Sequence, residues 1–429
     1  MLKRFISFVL FAQLLLITLA SAQQKAFART IVDTLASAYF GGRGYINDGV
    51  VKAAQYISTE FEKYQLLPFN GSYFQFFPVS VNTFPGEMKL KINEVQLIAG
   101  TDFLIEAMSP PDKGTYQTYT VTFNDILNEK NLQLIMQKSA GKYLVVDQRK
   151  EKPIDKAARN ETNNILNFLK YSAHAPNAGT IILTNEKLTW GQAGFQAPKP
   201  VFIVNAPANV KKVQSITVTA DAEMRKNFVT SNLTGYIKGC EVPDSFLVVT
   251  AHYDHLGKMG SEIVFPGAND NASGIAMLFS LARHYSNNPP KYTMVFCALS
   301  AEELGLLGAR YFTENPLFEL SRIKFLVNFD LAGTGNEGIK VVNATIFPNE
   351  FNKLKTLNDS LACLNPIEPR GEACISDHCM FYLKNIPCFY IYTLGGISAY
   401  HDIYDKSETL PLTAFDEYFR LMVEFFSSF

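Results

Sequence analysis

Phe246 to Ala251 is a run of apolar residues broken only by Thr250, and it constrains the fold more than any other feature of the chain. A strand that faces solvent on one side alternates in polarity, whereas one buried on both faces reads as a continuous apolar stretch. Tyr292 to Leu299 and Ile323 to Phe329 repeat the pattern. Helical periodicity over Ala272 to Tyr285 and Leu304 to Thr313 separates these runs. Buried strands alternating with helices predict an α/β domain with a mostly parallel central sheet flanked by helices.

The rest of the chain has a different texture. Lys3 and Arg4, the apolar stretch Phe5 to Leu19 and the small residues Ala20-Ser21-Ala22 read as an export signal over 1–22, cleaved near Ala22. That reading places the mature protein in the periplasm or outside the cell, with no membrane span. Ile31 to Leu67 is helical in pattern, and Phe74 to Val81 alternates like a strand. Pro85-Gly86 marks a boundary. From 87 to 227 the sequence consists of short strands (Lys89 to Ile92, Thr118 to Phe123, Lys142 to Val146, Thr180 to Thr184, Val201 to Val204) and one helix near Thr162 to Ser172. This predicts a β-rich module of residues 87–227 inserted into a larger domain made of 23–86 and 228–429.

Composition excludes some partners. A formal net charge of −1 offers no basic footprint for a nucleic-acid backbone. Export gives the 6 cysteines an oxidising context. Cys363, Cys374, Cys379 and Cys388 crowd together without zinc-finger spacing, which predicts one disulfide among them and leaves the pairing open. Cys297 lies within a predicted buried strand and reads as a core thiol.

Ionisable residues gather where the buried strands end. His252-Tyr253-Asp254 follows the first, Glu302-Glu303 the second and Asp330 the third. Asp270 sits just before a helix, and His401 lies in a late loop. In open α/β sheets the functional crevice lies beyond the carboxyl ends of the strands. Singly, each of these is an ordinary ion pair, helix cap or helix-opening acid. Together they are acidic groups converging on one edge, which calls for a cation. Two zinc ions about 3.5–4 Å apart need a bridging carboxylate plus a histidine and a carboxylate at each end. Asp270 can bridge, and His252 with Asp330 and His401 with Glu303 can supply the ends. Asp254, two residues from His252, can accept the second imidazole N–H.

His252-Tyr253-Asp254, the Pro266-to-Gly274 segment (PGANDNASG), Ala301-Glu302-Glu303, Asn328-Phe329-Asp330 and His401 with Asp405 resemble the co-catalytic zinc exopeptidases. That family includes the bacterial leucyl aminopeptidases, aminopeptidases S and Y, glutamate carboxypeptidase II and the glutaminyl cyclases. The match covers the catalytic half in order and extends to Gly42-Arg43-Gly44. It implies two zinc ions per chain, held by His252, Asp270, Glu303, Asp330 and His401, with Glu302 as general base. It also implies a cis peptide at Asp270–Asn271. More loosely, Lys142 to Asp147 and Gly179 to Asn185 resemble parts of a protease-associated (PA) domain, which is expected to shape substrate entry.

The chain departs from the aminopeptidases before Ser376-Asp377-His378. Glu372-Ala373-Cys374-Ile375 lacks the tyrosine those members use to stabilise the oxyanion. Tyr400 precedes His401, as in the carboxypeptidase-like members, and reads equally as that hydroxyl or as an aromatic covering the site. His378 reads as a pocket-rim or structural residue, and His174, His255 and His284 as surface, loop and helix-end residues. The function expected is a secreted zinc aminopeptidase acting on peptide N-termini. The alternatives are a carboxypeptidase using Arg370 for the substrate carboxylate, a glutaminyl-peptide cyclase working with one zinc, and an inactive receptor-like relative.

Overall fold

A computed structural model describes residues 24–127, 129–149, 153–205, 210 and 212–429. The predicted export signal, 1–22, lies outside the described residues.

A 9-stranded mixed sheet organises the larger part. Its strands in chain order are β1 (Leu67–Pro68), β2 (Phe74–Thr83), β3 (Glu223–Ile237), β4 (Val242–His252), β5 (Tyr292–Leu299), β6 (Ile323–Phe329), β7 (Ile339–Val342), β8 (Ile367–Pro369) and β9 (Cys388–Thr393). The spatial order is β1-β3-β5-β4-β6-β9-β7-β8, with β2 also paired to β3. The middle of the sheet, β5-β4-β6-β9, is parallel, as the apolar runs predict. Antiparallel pairs of β3 with β5 and β7 with β9 flank it.

Side chains alternate across β4. Leu247, Val249 and Ala251 face one core, shared with the helices Gly49–Lys63, Ser273–Asn287 and Phe415–Ser427. Phe246 and Val248 face the other, shared with Leu307–Glu314 and His378–Tyr382. Each fully buried large apolar side chain contributes about 1.5–3 kcal/mol, so layers on both faces hold the strand ends rigidly. Among the described residues no helix is long and apolar enough to cross a membrane.

A second, 8-stranded sheet is built from Met88–Ile92, Val95–Leu97, Phe103–Ile105, Asp112–Thr122, Tyr143–Asp147, Gly179–Leu183, Val201–Val204 and Ser215–Ala220. The helices Glu129–Ser139 and Lys156–Tyr171 accompany it; the sequence pattern reveals only the latter. The chain leaves the large sheet along β2 and returns along β3, which are antiparallel partners. The small sheet's core is continuous with Leu256, Met259 and Phe265 of the larger part.

The predicted helix from Ile31 to Leu67 is interrupted. Residues 24–35 are helical, short 3₁₀ turns occupy Ala38–Arg43 and Ile46–Asp48, and the helix resumes at Gly49. Gly41, Gly42 and Arg43 all have positive φ, which no α-helix accepts. A Cβ on Gly42 would lie 2.3 Å from the Phe265 carbonyl oxygen, so only glycine lets the chain approach this closely. The second correction concerns Leu304. The helix begins at Leu307, and Glu302-Glu303 lie in a turn bounded by positive φ at Ala301 and Gly305.

Candidate metal centre

His252 ends β4, Asp330 follows β6, Glu302-Glu303 follow β5, and Asp270 lies in the turn before the helix Ser273–Asn287. The topology brings all of them to the carboxyl edge of the parallel strands, where the loop carrying His401 joins them.

Asp270 stands between the two ends of the cluster. Its Oδ1 lies 3.3 Å from His252 Nε2, and its Oδ2 lies 3.0 Å from His401 Nε2. His252 Nε2 is also 3.4 Å from Asp330, and His401 Nε2 is 3.3 Å from Glu303 Oε2. Each histidine thus shares Asp270 and has one further carboxylate of its own. Ligand atoms of His252, Glu302 and Asp330 lie within 4.8 Å of one another, as do those of His255, Asp270 and Glu303.

A network of hydrogen bonds aims these groups. Ser376 donates to Asp330 Oδ2 at 2.8 Å, Asn328 donates to Ser376 and Thr250 donates to Asn328. Cys374 and Cys379 form a disulfide that closes the segment holding Ser376, Asp377 and His378. Asp405 accepts the amide hydrogens of Asn269 and Asp270 on its two oxygens, fixing the turn whose Asp270–Asn271 peptide is cis. Gly267 holds φ +62° in that turn, where a Cβ would meet the Asp270 carbonyl oxygen at 2.2 Å.

Two residues do more than their sequence readings indicate. His255, read as a loop residue, is fully buried, and its Nδ1 lies 2.8 Å from Glu303 Oε1. It occupies one oxygen of Glu303 and leaves the other facing His401. Its position three residues beyond His252 was the available signal. Arg43 is also fully buried, and its guanidinium donates to the carbonyls of Tyr253, Leu35, Pro266, Gly267 and Asp270. It binds the Asp270 turn from beneath. Tyr390, on β9, has no sequence reading; its ring packs 5.3 Å from that of His378.

Asp254 lies beside His252 Nδ1, its carboxylate 3.8 Å away and its carbonyl oxygen 3.2 Å away. The carboxylate also accepts the amide hydrogens of Glu302 and Glu303. Tyr400 is 45% exposed, with its ring stacked on His401 at 4.0 Å and 13°. His378 is structural, with Nε2 bonded to the Ala373 carbonyl. His174 is exposed. His284 is half-buried against Tyr285 and Phe419, and burial lowers its pKa, so it is a packed neutral ring rather than the expected helix-end cation. Arg370 donates to the Tyr392 hydroxyl.

The electrostatics are those of a cation site. Burial opposes a charge on His252, but Asp330 and Glu302 hold its pKa well above the ordinary value. Burial likewise opposes a charge on His401, while Glu303 and Asp270 raise it to about 9. Burial and then Asp270 push Glu303 up to about 8. Burial also raises Glu302, with Glu303, Asp330 and Asp377 adding to the shift. Asp270, against the effect of burial, is held well below the ordinary carboxylate value by His252 and His401, so without a metal the two histidines and the two glutamates hold protons around an ionised Asp270. Paired carboxylate–imidazole sets around a shared carboxylate fit two divalent ions of borderline softness such as zinc.

The model of peptidase family M28 matches residues 232–426. This segment is similar to the peptidases of family M28. Over 114 residues, 26% of this chain and 23% of the relative, the chain is 37% identical to a probable zinc metalloprotease of Pyricularia oryzae. Over 173 residues, 39% of this chain and 37% of the relative, it is 31% identical to aminopeptidase YwaD of Bacillus subtilis. The chain therefore spans about a quarter of the first relative's length and somewhat more than a third of the second's. The fold is shared more widely. A zinc aminopeptidase from Bacillus subtilis superposes with a TM-score of 0.68 at 20% identity, covering 93% of this chain and 94% of that one. A peptidase M28 precursor from Shewanella amazonensis gives 0.70 at 17% identity, covering 96% of each. The matched segment covers β4 to β9 and the last part of β3, from Asn232 to Ile237; β1, β2, the small sheet and the start of β3 precede it.

Proposed function

We propose that the protein is an exported di-zinc aminopeptidase. The carrying observation is that Asp270 presents separate oxygens to His252 and His401, each of which faces a further carboxylate. Asp270 would bridge the two ions, with His252 and Asp330 at one end and His401 and Glu303 at the other. When bound, two zinc ions supply Lewis acidity that acidifies water and polarises the peptide carbonyl.

The chain's own residues do the rest. Glu302, aligned by Asp254 through its backbone amide, takes the proton of the attacking water and passes it to the leaving amine. Glu303 is committed to metal by His255, which holds its other oxygen. Tyr400 serves through its ring, which fixes the plane of the His401 imidazole.

The Cys374–Cys379 disulfide supports export, since such bonds persist in oxidising compartments. We assign the small-sheet module, 87–227 by its sequence boundaries, to a PA-like role at the substrate entrance. The two-ended ligand set favours a di-zinc peptidase over a single-zinc cyclase, and the engagement of Arg370 with Tyr392 weighs against its serving as a carboxylate clamp.

The test is zinc content together with hydrolysis of paired peptides, one blocked at its N-terminus and one at its C-terminus. The proposal expects about two zinc ions per chain and cleavage only of the peptide with a free N-terminus. Full activity with one zinc, or cleavage of the N-blocked peptide alone, overturns it.

A further inference from the structure

The loop carrying His401 is held from the other sheet. Trp190 lies between the small-sheet strands Gly179–Leu183 and Val201–Val204, outside the matched M28 segment. Its amide N–H donates to the His401 carbonyl at 2.8 Å. His401 Nδ1 lies 3.0 Å from the Trp190 carbonyl oxygen. A carbonyl can only accept, so Nδ1 carries a hydrogen, and Nε2, facing Asp270 and Glu303, is the nitrogen that a metal would take. His401 also adopts φ +53°, a left-handed conformation costly for a residue with a Cβ. The exchange of two hydrogen bonds with Trp190 holds it there.

Two further contacts come from the same segment. Lys187 pairs with Asp402 at 2.7 Å and donates to the carbonyls of Ser398 at 2.5 Å and Tyr400 at 3.2 Å, on both sides of His401. The Trp190 indole stacks on Phe265 at 4.7 Å, just before the turn that carries Asp270, and its N–H donates to the Ile105 carbonyl. One short stretch of the small-sheet module therefore touches both the His401 loop and the approach to the Asp270 turn.

We propose that Lys187 and Trp190 are positioning residues for His401, so that the module completes the metal centre as well as bordering it. This reading rests on the di-zinc assignment. Partners that orient a metal-bound histidine are typically worth about 10–100-fold in metal affinity.

The test uses the full chain. Zinc dissociation constants are measured by chelator competition for the wild type, Lys187→Met, Lys187→Arg and Trp190→Phe, and the metal-free forms are melted in parallel. In Lys187→Met one zinc should be held as in the wild type and the other weakened about 10–100-fold, with Lys187→Arg restoring most of the loss; Trp190→Phe, which keeps both backbone hydrogen bonds to His401 and removes only the indole N–H to the Ile105 carbonyl, should weaken the same site by less. The weakened site should be the one that His401→Ala empties, so Lys187→Met added to His401→Ala should not loosen the remaining ion. Wild-type affinity at both sites in both variants overturns the proposal. So does equal weakening of both sites alongside a fall in the metal-free melting temperature, because that is general loosening. A wild-type chain that takes up no zinc overturns the di-zinc assignment itself, and this proposal with it.

Discussion

Asp254 grips the Glu302-Glu303 turn through its backbone, accepting the Glu302 amide hydrogen at 3.1 Å on one oxygen and the Glu303 amide hydrogen at 3.3 Å on the other. One carboxylate at the end of β4 thereby sets the direction of two neighbouring glutamates with different work to do.

That division is open to direct measurement. Glu302→Gln should keep both zinc ions and near-normal KM while kcat falls by about 10²–10⁴, the usual worth of a positioned general base. Glu303→Gln should weaken one zinc, with activity partly recovered by added metal. Zinc stoichiometry and steady-state kinetics on both variants check this, and the reverse pattern would exchange the two roles.

Arg43 should prove indispensable to folding without touching substrate. Arg43→Met removes the donor from five carbonyl oxygens, of which that of Gly267 keeps the Ala272 N–H and the other four lose the bond that Arg43 gives them. Each buried unsatisfied group costs about 1–3 kcal/mol, so denaturant unfolding should show a loss of at least about 3 kcal/mol. Arg43→Lys should rescue little, because an ammonium has only three donors and no planar fork.

The metal-free protein should lose stability as the pH rises from about 6.5 to about 9, above the range in which His255, lowered to about 3 by burial, acts with the opposite sign. Burial and Asp270 raise Glu303 to about 8, so folding favours its protonated form and that contribution disappears on ionisation. His401, raised to about 9 by Glu303 and Asp270 against the effect of burial, contributes fully below its unfolded value of 6.5 and ceases to contribute as pH passes 9. Both shifts have the same sign. Melting temperatures of chelator-treated protein across this window check it, and zinc uptake at pH 7 should release protons, visible as a buffer-dependent binding enthalpy.

Tyr400→Phe keeps the ring over His401 and removes only the hydroxyl. It should therefore retain kcat within about threefold, whereas loss of an oxyanion donor typically costs about 10²–10³. Tyr400→Ala should instead loosen zinc. A hundredfold fall in kcat for Tyr400→Phe would make the hydroxyl the working part.

The legible parts of this molecule were those written in side-chain pattern. β4, β5 and β6 are buried on both faces, so their apolar runs revealed them, and the acids at their ends followed. What stayed hidden depends on contacts distant in sequence. Arg43 looks like any basic residue until its partners, 8 to 227 positions away, surround it. Trp190 acts on His401 through backbone atoms, which leave no trace in residue identity. β3 begins before the boundary read at 227 and belongs to the large sheet from its start, since Glu223 pairs with Thr83 and Leu233 with Phe74, and strand pairing of this kind is not written in residue type. His255 was visible, yet its weight comes from the one oxygen of Glu303 that it occupies.

The pairing of β2 with β3 also sets an order of events for the growing chain. Thr83 and Glu223 are 140 positions apart, so this ribbon cannot zip until everything between them has been synthesised. Closing so long a loop is entropically unfavourable while the intervening segment is loose and much less so once it is compact. The small sheet is thus expected to condense first and bring the two strands together. The amino-terminal stretch with Arg43 would wait longer, because Tyr253, 210 positions downstream, must arrive before its guanidinium is satisfied. Pulse-labelled hydrogen exchange during refolding should find amides of Tyr143–Asp147 and Gly179–Leu183 protected before those of β2 and β3, and simultaneous protection would remove this order. The metal centre would then be the last part of the molecule to exist.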